Sequence, residues 1–275
     1  MVGAHPNANL EKLAYVSMIE MLFRSARIFH RNPICTLLTD RQTNMDKLGT
    51  GFQRRNFPID HRALILSRSL AQFEYVNQFD FSHPLLLIDS DILVNGSIVS
   101  IFDTDFDVAL TWRNNKLMPI NGGLIILNNR RPDAVRGFFR RFISIYQASY
   151  SDSQNSHWYG DQLALRDMTH LSLEDFSDYK IMVVNGCRIL LLSCDVYNFS
   201  PKNKYQEICS DLSGKVLLHF KGERKRLMDH FWKAWIKARA SYWPWDWFQA
   251  WRERRWLLRQ ALAEQASEVA ARKVK

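Results

Sequence analysis

An apolar run that ends in acid, Pro84-Leu85-Leu86-Leu87-Ile88-Asp89-Ser90-Asp91-Ile92-Leu93-Val94, constrains this chain more than any other stretch. It reads as a strand buried on both faces of a parallel sheet. Side chains at i and i+2 of a strand share a face, which sets Asp89 and Asp91 toward one space. In open α/β sheets ligands bind beyond the carboxyl ends of the strands, where this pair would stand. Two carboxylates there suit Mn²⁺ or Mg²⁺ carrying a diphosphate, although an ordinary acidic turn would give the same triplet.

The surrounding pattern supports an α/β reading. Leu10 to about His30 is expected to be an amphipathic helix, with Asn7 or Asn9 as cap, Glu11 in its first turn and Pro33 beyond its end. A short strand follows over Ile34–Thr39, then a polar loop through Gly51. Asp60 caps a helix over His61–Gln78 that leads into the central run. Strands are expected at Asp107–Trp112 and Gly123–Leu127, and helices from Pro132 to Tyr150 and from Asp161 to Met168. Apolar runs at 181–184, 188–192 and 216–220 complete a Rossmann-like arrangement.

Net charge is +9, of which residues 229–275 contribute +5 from 10 basic and 5 acidic side chains. None of the known nucleic-acid-binding signatures accompanies that charge, so a nucleic-acid partner is not expected. The four cysteines show no CxxC pairing and are too few for a disulfide scaffold, which favours a reducing, cytoplasmic setting. No apolar run is long enough to span a bilayer, and the N-terminus lacks signal-peptide order. The sequons at Asn95 and Asn198 therefore carry no weight.

Four further segments bear on the acidic pair. Asn121-Gly122-Gly123 opens a strand, and paired glycines allow close approach of backbone to a ligand. Asp161-Gln162 begins a helix after a polar loop. His219-Phe220-Lys221-Gly222-Glu223-Arg224-Lys225 supplies an imidazole, a glycine and several cations. Asp103-Thr104-Asp105 is a second D-x-D, but its short context reads as a capping turn. In this order the motifs resemble GT-A fold glycosyltransferases of family 8, the glycogenin and bacterial lipopolysaccharide galactosyltransferase group, over about Ile34–Lys225.

The resemblance implies a GT-A type Rossmann-like mixed sheet flanked by helices. It also implies metal-dependent transfer of a hexose from a nucleotide sugar, a UDP-sugar, to a glycan or lipid-linked acceptor with retention. Asp89, Asp91 and His219 would hold Mn²⁺ (or Mg²⁺), and Gly222 and Lys225 would close over the diphosphate. Asn121, Gly122, Gly123 and Arg68 would contact the donor, with Asp161 and Gln162 at the reacting face. Three departures stand out: Gly122 replaces an alanine, Arg226-Leu227 replaces Pro-Trp, and the first strand looks truncated to Val2-Gly3-Ala4, with His5 and Asn7 in its loop. A catalytically inactive binding protein of the same fold is the alternative.

Seven of the nine tryptophans lie after Asp229, which sets a helical tail (229–275) apart from the catalytic part (1–228). Trp247, Trp251, Leu258 and Leu262 form one helical stripe beside Arg252, Arg255 and Arg259. Such a face suits an anionic membrane surface, or packing on the preceding domain.

Overall fold

The computed structural model describes residues 8–45, 48–152, 155, 158–171, 180–201 and 212–273. The expected strand remnant at Val2–Ala4, its loop with His5 and Asn7, and Cys209 lie outside them, as do the side chains of Asn9 and Glu11.

Helix α1 (Ala8–Phe29) leads to β1 (Thr36–Thr39), which pairs in parallel with β2 (Gln53–Asn56). Strand β2 was not expected, because Gln-Arg-Arg-Asn has no apolar face and is exposed throughout. Its ladder to β1 holds it, helped by the Arg54 guanidinium on the carbonyls of Asp40 and Thr43 at 2.7 and 3.0 Å. The Asp60 carboxylate accepts from the Arg62 amide at 2.9 Å and starts a 3₁₀ turn that runs into α2 (Leu64–Gln78).

Five strands make the main sheet: β3 (Leu85–Ile88), β5 (Val108–Trp112), β6 (Ile120–Leu127), β7 (Lys180–Val184) and β8 (Cys187–Ser193), ordered β3-β6-β5-β8-β7. It is mixed, with β5–β8 parallel and the other pairs antiparallel. The run around Asp89 is therefore not one parallel strand buried on both faces. β3 ends at Ile88 on the edge of this sheet, and β4 (Ile92–Val94) pairs instead with β9 (Leu217–His219). The backbone changes partner across the triplet: Asp89 N–H donates to Gly123 O at 2.9 Å, and Phe220 N–H donates to Asp91 O at 2.8 Å. Asp89 and Asp91 thus share a turn between two ladders rather than one face of a strand.

One face of the sheet is covered by α2, α3 (Pro132–Ser149) and α4 (Gly160–Thr169). α3 presents Val135, Phe138, Phe139, Phe142, Ile143 and Tyr146 at helical spacing, which buries its whole apolar stripe. The other face meets β4, β9 and α1. A short α5 (Cys194–Tyr197) follows β8 directly.

After β9 the chain coils from a 3₁₀ segment (Gly222–Leu227) through α6 (Met228–Phe231) and a π-helical turn (Trp232–Ile236) to a second 3₁₀ segment, Lys237–Ala240. Phe231, Trp232 and Trp235 are buried with Met18, Leu93 and Phe220, each contributing about 1.5–3 kcal/mol. α7 (Pro244–Lys273) packs there through Leu257 and Ala261, two of its buried side chains together with Ala250. The stripe read from sequence is turned away: Trp247, Trp251 and Leu262 are exposed, and only Leu258 of that set packs inward. Small alanines allow the closer helix contact, so the buried ridge runs beside the aromatic one. No described helix is long and apolar enough to cross a membrane.

Candidate active site

The ends of β3, β4 and β9 bring Asp89, Asp91 and His219 together, with one ligand atom from each inside a 4.8 Å set. His219 Nε2 lies 3.1 Å from Asp91 Oδ1 and 3.9 Å from Asp89 Oδ2. Gly123, on β6, backs this group. A Cβ there would lie 2.9 Å from Asp89 Oδ2 and closer still to the His219 ring, so only glycine fits.

A buried polar network fixes the imidazole. Asn198 Nδ2 donates to Thr111 Oγ1 and to Asn121 Oδ1, both at 2.8 Å, which leaves its Oδ1 as acceptor. That oxygen is 2.7 Å from His219 Nδ1, so Nδ1 carries a hydrogen and the ring turns Nε2 toward the aspartates. Thr111 Oγ1–H in turn donates to Asn121 O at 3.2 Å, and the Gly123 amide donates to Asn121 Oδ1 at 3.1 Å. Nε2 can donate to Asp91 when it carries a proton, and without that proton it joins the two carboxylates as a third ligand atom for a divalent cation. The donor set therefore fits Mn²⁺ or Mg²⁺.

Arg68, on α2, ties the two halves of the site. Its Nη1–H donates to Asp89 Oδ1 at 2.6 Å and its Nη2–H to Asp161 Oδ2 at 2.5 Å. Burial and the Asp89 charge raise the Asp161 carboxyl above its ordinary range, although Arg68 opposes them. Burial would lower the Arg68 guanidinium, but Asp89 and Asp161 outweigh it and raise it. A Cβ at Gly122 would overlap Asp161 Oδ2, the second place where backbone must come this close. Beside Asp161, Gln162 Oε1 accepts from Arg113 Nη2–H at 2.9 Å.

Lys225 Nζ is 3.6 Å from Asp91 Oδ2 and donates to Tyr15 Oη at 3.1 Å. Burial pushes the Asp91 carboxyl up, yet His219 and Lys225 together hold it below its ordinary value. Gly222 opens the 3₁₀ segment between His219 and Lys225 with φ of 57°. Lys221 is half-buried, and burial, with Arg113 adding to it, lowers its amine to about 8.

The eleven residues expected at the site thus fall in one region, with Asn121 turned inward to support the imidazole rather than outward. The second D-x-D is committed elsewhere, since Asp105 pairs with Arg188 and, at 3.8 Å, with Arg130. Sequence reasoning gave no role to Asn198, Thr111, Arg113 and Tyr15, and no separate role to Lys221 within its motif. Asn198 was set aside as a sequon, but it is 1% exposed and its amide is an interior hinge of the network. A polar amide between Tyr197 and Phe199 was the signal that could have found it. Arg113 had no signal, because only tertiary contact places it on Gln162.

No family model and no curated protein matches the chain. Solved structures similar to it are glycosyltransferases. One is a glycosyltransferase involved in glycosylation of the major capsid of PBCV-1, 14% identical with a TM-score of 0.43, over 72% of this chain and 98% of that one. A second is galactosyltransferase LgtC in complex with donor and acceptor sugar analogs, 13% identical with a TM-score of 0.49, over 86% and 96%. A third is apo GlyE of Streptococcus pneumoniae, 15% identical with a TM-score of 0.49, over 92% and 61%. These likenesses lend no residue role to the chain, whose chemistry rests on its own geometry.

Proposed function

We propose that this chain is a metal-dependent GT-A glycosyltransferase that moves a hexose from a nucleotide sugar, a UDP-sugar, to a glycan or lipid-linked acceptor with retention. The observation that carries the reading is the convergence of Asp89, Asp91 and Nε2 of His219 within one 4.8 Å set. Those three residues would hold Mn²⁺ or Mg²⁺, which when bound supplies Lewis-acid stabilisation of a diphosphate leaving group. Lys225 stands beside Asp91 to offset charge that develops on the departing phosphate, and Gly222, at a φ of 57°, allows the turn that brings its segment there. Arg68 orients both Asp89 and Asp161, so donor-side and sugar-side carboxylates move as one unit. Asp161 and Gln162 open α4 toward the same space and are assigned to the sugar hydroxyls and the reacting face.

The deciding experiment is calorimetric titration of UDP with and without Mn²⁺, on wild type and Asp91→Ala. Mn²⁺-dependent binding that disappears in the variant supports the donor site, and sugar release from UDP-hexoses would follow. Binding without any turnover across UDP-hexoses and acceptor glycans would favour an inactive binding protein of the same fold. A folded wild type with no affinity for UDP would refute the reading.

We also infer that α7 rests on an anionic membrane, on the cytoplasmic side. The supporting observation is a run of exposed aromatics, Trp243, Trp245, Trp247, Phe248 and Trp251, beside exposed Arg252 and Arg255. Co-sedimentation with phosphatidylglycerol vesicles, but not phosphatidylcholine vesicles, is expected, and replacing the first three tryptophans by serine should abolish it.

A further inference from the structure

Four cations surround the acidic cluster, and only two of them have an acid to pair with. Arg68 bridges Asp89 and Asp161, and Lys225 lies beside Asp91. Arg113 has neutral partners: its Nε–H donates to Met118 O at 3.0 Å and its Nη2–H to Gln162 Oε1 at 2.9 Å. The Lys221 ammonium makes no hydrogen bond or ion pair among the described residues.

The fold sets these two side by side. Trp112 of β5 pairs in register with Ser193 of β8, so Arg113 and Cys194 leave the sheet at neighbouring positions. Asn198, four residues on, joins that edge to His219, and Lys221 follows two residues later. Lys221 accordingly has Cys194 and Arg113 within electrostatic reach, with Asp89 and Asp91 acting on it more weakly. Both cations are half-buried.

Asp89, Asp91 and Asp161 face Arg68, Arg113, Lys221 and Lys225, three acids against four cations. A divalent ion and the diphosphate of a nucleotide sugar cancel one another, so donor binding leaves that surplus in place. Two half-desolvated cations with no acid in ion-pair contact favour a ligand that supplies one. A guanidinium fork next to an ammonium is also a good receptor for a carboxylate or phosphate.

We propose that Arg113 and Lys221 form an anion subsite beside Gln162 that takes a carboxylate or phosphate carried by one of the two sugars in the reaction. This rests on the glycosyltransferase reading and narrows it to an acidic substrate. Gln162 lies between the subsite and Asp161, so the charged substituent would be held next to the reacting carbon and would fix the sugar's orientation there.

The test uses the full chain with Mn²⁺ and calorimetry, after UDP binding has been measured on every variant. A donor arm compares UDP-glucuronate with UDP-glucose. An acceptor arm compares glucuronate and glucose 6-phosphate with glucose on protein saturated with UDP. The charged sugar is expected to bind about tenfold tighter or more in one arm, and Arg113→Gln and Lys221→Gln are each expected to remove most of that ratio. A preference in the first arm assigns the acidic group to the donor, and in the second to the acceptor. Equal binding of charged and neutral sugars in both arms overturns the subsite, as does a preference that survives both substitutions. Wild type that fails to bind UDP counts against the glycosyltransferase reading instead. A variant that alone loses UDP binding is set aside as misfolded, and the other decides.

Discussion

Gly123→Ala is the smallest change that strikes the centre of the site, and its cost can be worked from the structure. The added methyl would sit 2.9 Å from Asp89 Oδ2 and 2.9 Å from His219 Nδ1, where ordinary contact begins at 3.4 Å. At least one neighbour must therefore retreat by about 0.5 Å, and the His219 ring, which is nearer still, by more. That ring cannot retreat freely, because Asn198 holds Nδ1 at 2.7 Å and the ring is buried. Overpacking of this kind costs about 1–3 kcal/mol, a fall of several degrees in melting temperature for a chain of this size. Metal ligands tolerate displacements of only about 0.2 Å, so Mn²⁺ affinity should fall about 10- to 100-fold. Isothermal titration with Mn²⁺ and thermal unfolding in EDTA read the two effects separately. A variant that binds Mn²⁺ like wild type would refute the claim that Asp89, His219 and the β6 backbone form one rigid metal site.

Asn198→Leu keeps the branched heavy-atom skeleton but removes the acceptor for His219 Nδ1. Mn²⁺ affinity should fall about 10- to 100-fold, whereas Asn198→Asp, which keeps the acceptor, should retain more of it. Arg68→Met deprives Asp161 of the charge that opposes its burial, so its already raised carboxyl shifts further up. A raised carboxylate retains its proton in the fold while the unfolded chain has lost it. Both proteins lose stability as pH rises above about 4, and the variant should go on losing it after pH passes the wild-type folded value, until its own is passed, which melting temperatures across pH 4–8 would detect. The thiols of Cys35, Cys187 and Cys194 are all raised by burial, Cys187 to about 12. In a Cys209→Ser background, Ellman's reagent at pH 8 should label none of them quickly until denaturant is added, and rapid labelling of native protein would contradict their burial.

The sequence by itself determined the helices and most of the strands, because their signals are local. The 3.6-residue period of α3, the Asp60 cap of α2 and the apolar runs of β5, β6 and β8 each depend on near neighbours. It also marked the residues of the site, since a glycine pair, an acid pair and a histidine before a glycine and a lysine are unusual company in any chain. Tertiary structure decided the rest. Whether Pro84–Val94 was one strand or two depended on which ladder each half joined, and β6 and β9 lie far along the chain from it. The strand β2 exists only because β1 offers it hydrogen bonds. The aromatic stripe of α7 faces outward because the alanine and leucine ridge beside it found a closer fit. Arg68 between two carboxylates, Asn198 behind His219 and Arg113 on Gln162 are contacts across 93, 21 and 49 residues at their longest, and no periodicity carries them. Local chemistry chose the residues, and long-range packing chose their partners.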